Sequence, residues 1–176
     1  ETRAVTLTGK GRGFCSGADV AAQPAGAAEP GRQTRLQLVG SIILAFEAVN
    51  KPIICAVNGV AAGIGLTLTL ACDIRIASAA ARFSSIWVKR GMVADGGASL
   101  LLPAAVGMEK ALELCYTGEI INAQEAERIR LVSRMVPAEE LMLRAKELAQ
   151  KIAANPPISV ELVKRVMWEK TRNQLR

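Results

Sequence analysis

The chain has 176 residues, 51% of them apolar and 22% charged, and its 22 Lys and Arg exceed its 16 Asp and Glu to give a formal net charge of +6. This length suits one globular domain with a sizeable core, and the composition excludes a disordered or fibrous protein. The chain has no histidine, which excludes any catalytic triad, metal site or general base built on that residue.

Apolar runs and cysteines restrict the class of protein further. No uninterrupted apolar run reaches the about 18 residues that a spanning helix needs, and no signal peptide is visible, so we expect no membrane partner. The basic excess suits either the phosphates of a large anionic cofactor or a solvated helix face. Four scattered cysteines without the spacing of a zinc site predict buried thiols in a reducing cytoplasm. They are Cys15, Cys55, Cys72 and Cys115.

The first two predicted strands, residues 4–8 and 52–57, each run into a glycine-rich turn, at 9–20 and 58–66. Glycine lets backbone N–H groups point outward and lets a ligand approach the main chain closely. Two such turns could aim two N–H groups at one oxygen, as in an oxyanion hole. The plainer interpretation is a strand-to-helix turn of any α/β protein, because neither turn has the spacing of a phosphate-binding loop.

Between these strands, apolar residues at helical spacing predict an amphipathic helix over residues 34–49. A strand, a helix and a strand in succession predict a parallel pair. The segment 21–32 has few large apolar residues, and we expect a mobile loop beside the entrance to the site.

Asp95 stands between an apolar turn that contains Val93 and Ala94 and the glycine pair that follows. An acid in this setting is costly to desolvate, and it also lies where a helix can begin. The pattern therefore predicts that Asp95 is the N-cap of the next helix, a functional carboxylate, or both.

The other predicted elements are a helix that starts near Gly63, a strand over 73–77 and a series of helices. One helix, 108–116, ends at Gly118, and Asn122 with Glu125 predicts the start of another over 123–130. Two further helices complete the chain, one from Pro137 to about residue 154 and an amphipathic one over 159–175.

Four motifs occur in a fixed order along the chain, at 14–19, 56–65, 71–77 and 91–97, with further matches at 116–126 and 131–137. In this arrangement the chain resembles the enoyl-CoA hydratase/isomerase family, the crotonase superfamily. The resemblance implies an α/β fold, with a crotonase-like ββα spiral core that binds acyl-CoA over 1–137 and C-terminal helices for oligomerisation over 138–176. Both regions belong to one domain, and the resemblance implies that the chain is truncated at both ends.

The resemblance also implies a site in which two backbone N–H groups, those of Ala18 and Ile64, hold the thioester oxygen. The family usually has glycine where Ile64 stands, and this change narrows the pocket without removing an N–H. Coenzyme A is part of the substrate, so no separate cofactor, no metal and no nucleic-acid partner is implied. The implied substrate-binding residues are Ala18, Asp19, Val20, Ala21, Gly63, Ile64 and Trp87.

The chain departs from the family's hydratases at both glutamates that position and activate water. Thr67 and Trp87 occupy the matching positions, and neither residue can act as a carboxylate base, so a 2-enoyl-CoA hydratase is disfavoured. Trp87 is either a buried aromatic residue or part of the site, where it would line an acyl pocket.

Asp95 is then the carboxylate left at a position that the family uses for chemistry. The family's 3-enoyl-CoA to 2-enoyl-CoA isomerases place Asp or Glu there, so the resemblance implies an isomerase with Asp95 as its acid and base, in an apolar setting formed by Val93, Ala94 and Trp87. Two alternatives stay open. A hydrolase similar to 4-chlorobenzoyl-CoA dehalogenase would use Asp95 as a nucleophile beside Trp87, but it needs a histidine. A non-catalytic acyl-CoA-binding homologue would need no carboxylate.

Family members form trimers, often paired as hexamers, and the resemblance implies a homotrimer or a dimer of trimers. The sequence offers apolar surface for such contacts. The residues concerned are Leu100, Leu101, Leu102, Val160, Val163, Val166, Met167 and Trp168. We expect Lys164 and Arg165 to lie near a neighbour's entrance, where the phosphates of coenzyme A could bind.

Overall fold

The computed structural model describes residues 1–18, 40–41 and 43–175. Three predictions lie partly or wholly outside these residues. They concern the loop at 21–32, the first part of the helix at 34–49, and the substrate contacts Asp19, Val20 and Ala21.

The larger sheet has four parallel strands in the order β1 (Val5–Thr8), β2 (Ile53–Val57), β4 (Ile74–Ser78) and β7 (Arg134–Val136). The predicted parallel pairing of the first two strands is confirmed, with Val5 opposite Ile53. All five residues of β2 are buried, as expected for a central strand of a parallel sheet that is covered on both faces.

A smaller sheet lies beside the first loops, with three strands in the order β3 (Val60–Ala62), β5 (Arg82–Ser84) and β6 (Ile120–Asn122). Strands β3 and β5 are parallel, whereas β5 and β6 are antiparallel. A single parallel bridge between Cys15 and Ala61 attaches the loop after β1 to this sheet.

The helices follow the predicted order. The described part of α1 comprises residues 40–41 and 43–48. The other helices are α2 (Ile64–Ala71), α3 (Ala98–Val106), α4 (Met108–Thr117), α5 (Ala123–Arg128), α6 (Leu141–Ala153) and α7 (Pro157–Leu175), with 3-10 turns at Ile86–Arg90 and Ala138–Glu140. Over the described residues, no helix is both long and apolar enough to span a bilayer.

Helix ends match the local sequence signals. Gly118 ends α4 in a left-handed conformation, with φ 57°, and the side chain of Asn122 accepts a hydrogen bond of 2.8 Å from the backbone N–H of Glu125. Helix α7 begins at Pro157 rather than at residue 159, because proline fits the first turn of a helix, where its missing N–H has no intrahelical partner.

Apolar side chains fill both faces of the larger sheet. On one face α2, α3 and α4 contribute Leu66, Leu102 and Leu114 to the main core. On the other face, Leu141 and Ala145 of α6 pack against strands β2 and β4. Leu101 and Leu102 are buried in this core, so the prediction that residues 100–102 offer apolar surface for a partner is wrong for these two residues.

Helix α7 is fastened to the sheet by one carboxylate. Asp73, just before β4, accepts a hydrogen bond of 2.7 Å from the indole Nε1 of Trp168 on its Oδ1. Its Oδ2 accepts from the backbone N–H of Ile53 at 2.7 Å and lies 2.9 Å from the ammonium group of Lys164. Lys164 is only 7% exposed. The expectation that it serves the phosphates of coenzyme A at a neighbour's entrance is therefore wrong, because Asp73 holds it inside its own chain.

Candidate active site

The two glycine-rich loops meet at the corner where β3 leads into α2. The backbone N–H groups of Phe14 and Cys15 approach the carbonyl oxygen of Val60 at 3.1 and 2.9 Å, and the N–H of Ala62 donates to the carbonyl oxygen of Cys15 at 3.0 Å. The end of the first loop is therefore attached to β3 through the bridge between Cys15 and Ala61, which brings residues 15–18 next to the start of α2.

Asn58 ties the first loop to the turn after β2. Its Oδ1 accepts from the backbone N–H of Gly9 at 3.0 Å, and its Nδ2 donates to the carbonyl oxygens of Gly11 and Gly13 at 2.9 and 3.1 Å. Asn58 is not among the site residues predicted from the sequence. The available signal was its place at a strand end beside Gly59, since an amide carries both donors and an acceptor and can bridge a loop.

Gly63 and Gly65 shape the second loop. Gly63 has φ 54°, a left-handed conformation that favours glycine, and its N–H donates to the carbonyl oxygen of Ser84 at 3.1 Å. A Cβ atom at Gly65 would overlap the carbonyl oxygen of Cys15. Glycine at position 65 is thus what allows the first loop to reach the N-terminus of α2.

Ile64 and Ala18, the predicted oxyanion donors, lie at this corner. Ile64 is the first residue of α2, so its N–H has no intrahelical acceptor and points out of the helix end. Ala18 is exposed and follows Gly17, which packs against the carbonyl of Ala62. Within the described part of the chain, no backbone carbonyl accepts from either N–H. The convergence of the two N–H groups on one oxygen stays a prediction.

Asp95 is held by Trp87. The indole Nε1 donates to Oδ1 of Asp95 at 2.9 Å, and Trp87 is 3% exposed. The predicted N-cap role of the Asp95 side chain is wrong: Gly97 is the N-cap of α3, and no side chain caps this helix. The Asp95 carbonyl oxygen accepts from the N–H of Ala98, so the backbone of Asp95 leads into the helix while its carboxylate turns to Trp87.

The predicted apolar setting of Asp95 is confirmed only in part. Ala94 packs against the main core and Trp87 is buried within it, but Val93 is 80% exposed and does not cover the carboxylate. Asp95 itself is half-buried. A carboxylate so placed keeps access to a substrate while one of its oxygens is fixed by a donor.

The cysteines carry no chemistry of the site. All four are free; Cys55 and Cys72 are buried, whereas Cys15 and Cys115 are half-buried. A hydrogen bond with the Cys72 thiol, together with burial, raises the pKa of the Cys55 thiol well above its usual value, which makes it a poor nucleophile. Among the described residues, no group of three or more His, Cys, Asp and Glu side chains could hold a metal ion.

Comparison with known proteins decides the family. Residues 1–176 match the family described as enoyl-CoA hydratase/isomerase. The chain belongs to the enoyl-CoA hydratase/isomerase family. Its spiral of parallel strands and helices is accordingly the crotonase fold, which confirms the fold implied by the sequence motifs.

Individual relatives carry both names of the family. The chain is 42% identical over 173 residues to a protein of Mycobacterium bovis named as a probable enoyl-CoA hydratase, a match that covers 94% of this chain and 61% of that protein. It is 35% identical over 176 residues to the 1,2-epoxyphenylacetyl-CoA isomerase of Escherichia coli, with 98% and 67% covered. The chain thus spans about three fifths of the length of the Mycobacterium bovis relative.

A solved structure supports the likeness in three dimensions. The monofunctional enoyl-CoA isomerase from M. smegmatis is 40% identical to this chain and has a TM-score of 0.79, over 96% of this chain and 71% of its own.

Neither Thr67 nor Trp87, the residues at the positions predicted to match the hydratase glutamates, has an acidic side chain. Thr67 is fully buried on α2, and its hydroxyl lies 3.5 Å from the carbonyl oxygen of Gly63. Trp87 is buried and donates to Asp95. Helix α3, which follows Asp95, packs on α2, and Ile86, the residue before Trp87, packs against Gly63 at the start of α2.

Proposed function

We propose that this chain carries the catalytic core of an enoyl-CoA isomerase, which converts a 3-enoyl thioester into the 2-enoyl thioester with Asp95 as its acid and base. The observation that carries the proposal is the hydrogen-bonded pair of Trp87 and the half-buried Asp95. Asp95 is held at one oxygen by Trp87, while a threonine and a tryptophan stand where hydratases need glutamates. One carboxylate suffices for moving a double bond.

The reaction moves one proton within the substrate, and Asp95 is the group that carries it. Asp95 removes a proton from C2, the C2–H electrons form the C1=C2 bond of a dienolate, and negative charge gathers on the thioester oxygen. The N–H groups of Ala18 and Ile64 stabilise that oxygen; each donor contributes about 3 kcal/mol in comparable sites. The protonated Asp95 then returns the proton to C4, which leaves the double bond between C2 and C3.

Hydration is disfavoured even though most of the similar proteins are named hydratases. Adding water across the double bond needs groups that accept and donate protons beside that water. Thr67 and Trp87 offer no carboxylate for this task, and both side chains are buried.

Two alternative functions can be tested in the same experiment as the isomerase. The Trp87–Asp95 pair also suits a nucleophilic aspartate in a 4-chlorobenzoyl-CoA dehalogenase-like hydrolase, but this chain lacks the histidine expected to act as base in that reaction. A non-catalytic acyl-CoA-binding protein would use the N–H donors alone.

The deciding experiment offers the purified full-length protein 3-enoyl, 2-enoyl and 4-chlorobenzoyl thioesters of coenzyme A. We expect 2-enoyl product from the 3-enoyl substrate, with 3-hydroxyacyl formation from the 2-enoyl substrate negligible beside it. A hydration rate comparable to the isomerisation rate would contradict the proposal and indicate a hydratase. Chloride release from the aryl substrate would indicate a dehalogenase. Binding of all three thioesters without turnover would indicate a binding protein.

We further propose that the protein assembles as a homotrimer or a dimer of trimers in the cytoplasm. The outer face of α7 supports the assembly, because Val163, Val166 and Met167 are 62%, 66% and 77% exposed. Arg165 is exposed on the same helix and could reach an anionic group on a neighbour. The four free cysteines suit a reducing compartment.

A further inference from the structure

Both tryptophans of the chain donate the indole N–H to an aspartate, but the two carboxylates differ in what else they bind. Asp73 has both oxygens occupied, Oδ1 by Trp168 and Oδ2 by Ile53 and Lys164. Asp95 has Trp87 on Oδ1. Its Oδ2 has no hydrogen-bond or ion-pair partner within residues 1–18, 40–41 and 43–175. Both oxygens of Asp73 have partners, as expected for a carboxylate with a structural role. The carboxylate of Asp95 keeps one oxygen available to a substrate.

The position of Trp87 is fixed from several sides. It lies in the 3-10 turn 86–90, where its carbonyl oxygen accepts from the N–H of Met92 at 2.9 Å, and its side chain is 3% exposed. Its neighbour Ile86 packs against Gly63, the residue before the predicted donor Ile64: the Cγ2 of Ile86 lies 3.6 Å from where a Cβ of Gly63 would be. The same short turn thus contacts both the carboxylate and the loop that carries the N–H donor.

We propose that Trp87 is the positioning residue of the reaction: its indole N–H fixes Oδ1 of Asp95, so that Oδ2 alone carries the proton between C2 and C4. This inference rests on the proposed isomerase function. An indole N–H donates a hydrogen bond and does not ionise at ordinary pH, so it orients the carboxylate without entering the exchange of protons. A carboxylate with one fixed oxygen needs no rotation between the two proton transfers, which keeps the arrangement preorganised.

The first test removes the N–H and keeps the aromatic bulk. In the full-length protein, we expect Trp87→Phe to lower kcat on 3-enoyl-CoA by about 10- to 100-fold, the effect of losing one hydrogen bond to a charged group, with KM within about threefold. Trp168→Phe is the matched control. It loses the same kind of bond, to Asp73, and is expected to lower the melting temperature without changing kcat.

A double variant separates positioning from general damage. If Trp87 acts through Asp95, Trp87→Phe should lower kcat no further in an Asp95→Asn background, because coupled residues are not additive. Equal losses in both backgrounds would mean that Trp87 acts on its own and would overturn the inference.

A spectroscopic measurement covers the case in which Trp87→Phe does not fold. Within residues 1–176, Trp168→Phe leaves Trp87 as the sole tryptophan, and we expect the fluorescence of Trp87 to change when Asp95 is replaced by Asn and when a 2-enoyl thioester binds. Unchanged fluorescence in both cases would overturn the inference, as would wild-type kcat in a folded Trp87→Phe variant beside an active wild type. A wild-type protein with no isomerase activity would overturn the proposed function, and the inference with it.

Discussion

Asn58 holds three backbone groups of the first glycine-rich loop with one side chain. This loop has no regular secondary structure between residues 9 and 14, so its shape depends on such contacts rather than on a helix or strand ladder. The loop carries the chain from β1 to Ala18, one of the two predicted N–H donors. A side chain that touches no substrate can therefore set the geometry of the oxyanion site.

We expect Asn58→Ala to destabilise the fold by about 2 kcal/mol, as three partly exposed hydrogen bonds are lost, and to lower isomerase kcat more than tenfold by releasing the loop. Asn155→Ala is the control. Its Nδ2 also donates to two backbone carbonyls, of Lys151 and Ile152, at the end of α6. Thermal melts and kinetics of both variants test the prediction, and equal kcat values in the two would contradict it.

At the scale of elements, the joint between α7 and the sheet rests on Asp73. Lys164 and Trp168 lie one turn apart on α7 and bind the two oxygens of this carboxylate, which also caps the N–H of Ile53 at the start of β2. Lys164 donates as well to the carbonyl oxygen of Lys51 at 3.0 Å. Polar contacts thus join α7 to the N-terminal ends of the central strands β2 and β4, beside the packing of Trp168 against the main core.

Replacing Lys164 with Met should destabilise the protein by about 3 kcal/mol, since it leaves the Asp73 carboxylate partly buried without its cation. Lys146→Met, at an exposed position on α6, is the matched control and should change stability by less than about 0.5 kcal/mol. Urea unfolding of both variants measures the difference. Equal midpoints would show that the ion pair does not anchor α7.

At the scale of the whole molecule, the sequence predicted the order of the helices and of three strands because those signals are local. The four strands that were not predicted, β3, β5, β6 and β7, have three residues each, too few to show a periodic pattern. The cap at Asn122 and the stop at Gly118 act within a few residues, and the apolar run of β2 identifies a buried strand by itself. The family motifs added the prediction that the loops after β1 and β2 contribute to one site.

Contacts between distant segments were not predictable from local patterns. Asn58 reaches back more than 40 residues to the first loop, and Trp168 reaches Asp73 across 95. The sequence pattern predicted that Asp95 is a helix cap, a functional carboxylate or both, because an acid before small residues is the usual signal for a helix start. Gly97 is the N-cap instead, and the carboxylate of Asp95 accepts a hydrogen bond from the indole of Trp87.

Assembly is the other property at this scale. We expect the full-length protein to sediment as a trimer or hexamer at micromolar concentration, and Val166→Asp with Met167→Asp to shift it toward monomer by placing charge on the exposed apolar face of α7. Ser159→Asp adds a charge at an exposed position of the same helix and should leave the assembly intact. A wild-type protein of monomer mass would contradict the prediction.

The role of Asp95 is the central claim, and Asp95→Asn tests it most directly. The amide oxygen can still accept from Trp87, so the fold and the site geometry should persist while the acid and base are lost. We expect isomerase kcat to fall about 1000-fold, while the affinity for a 2-enoyl thioester stays within a few-fold of wild type. Glu109 is an exposed acid on α4, and the control variant Glu109→Gln should be fully active. Near wild-type turnover by Asp95→Asn would contradict the account.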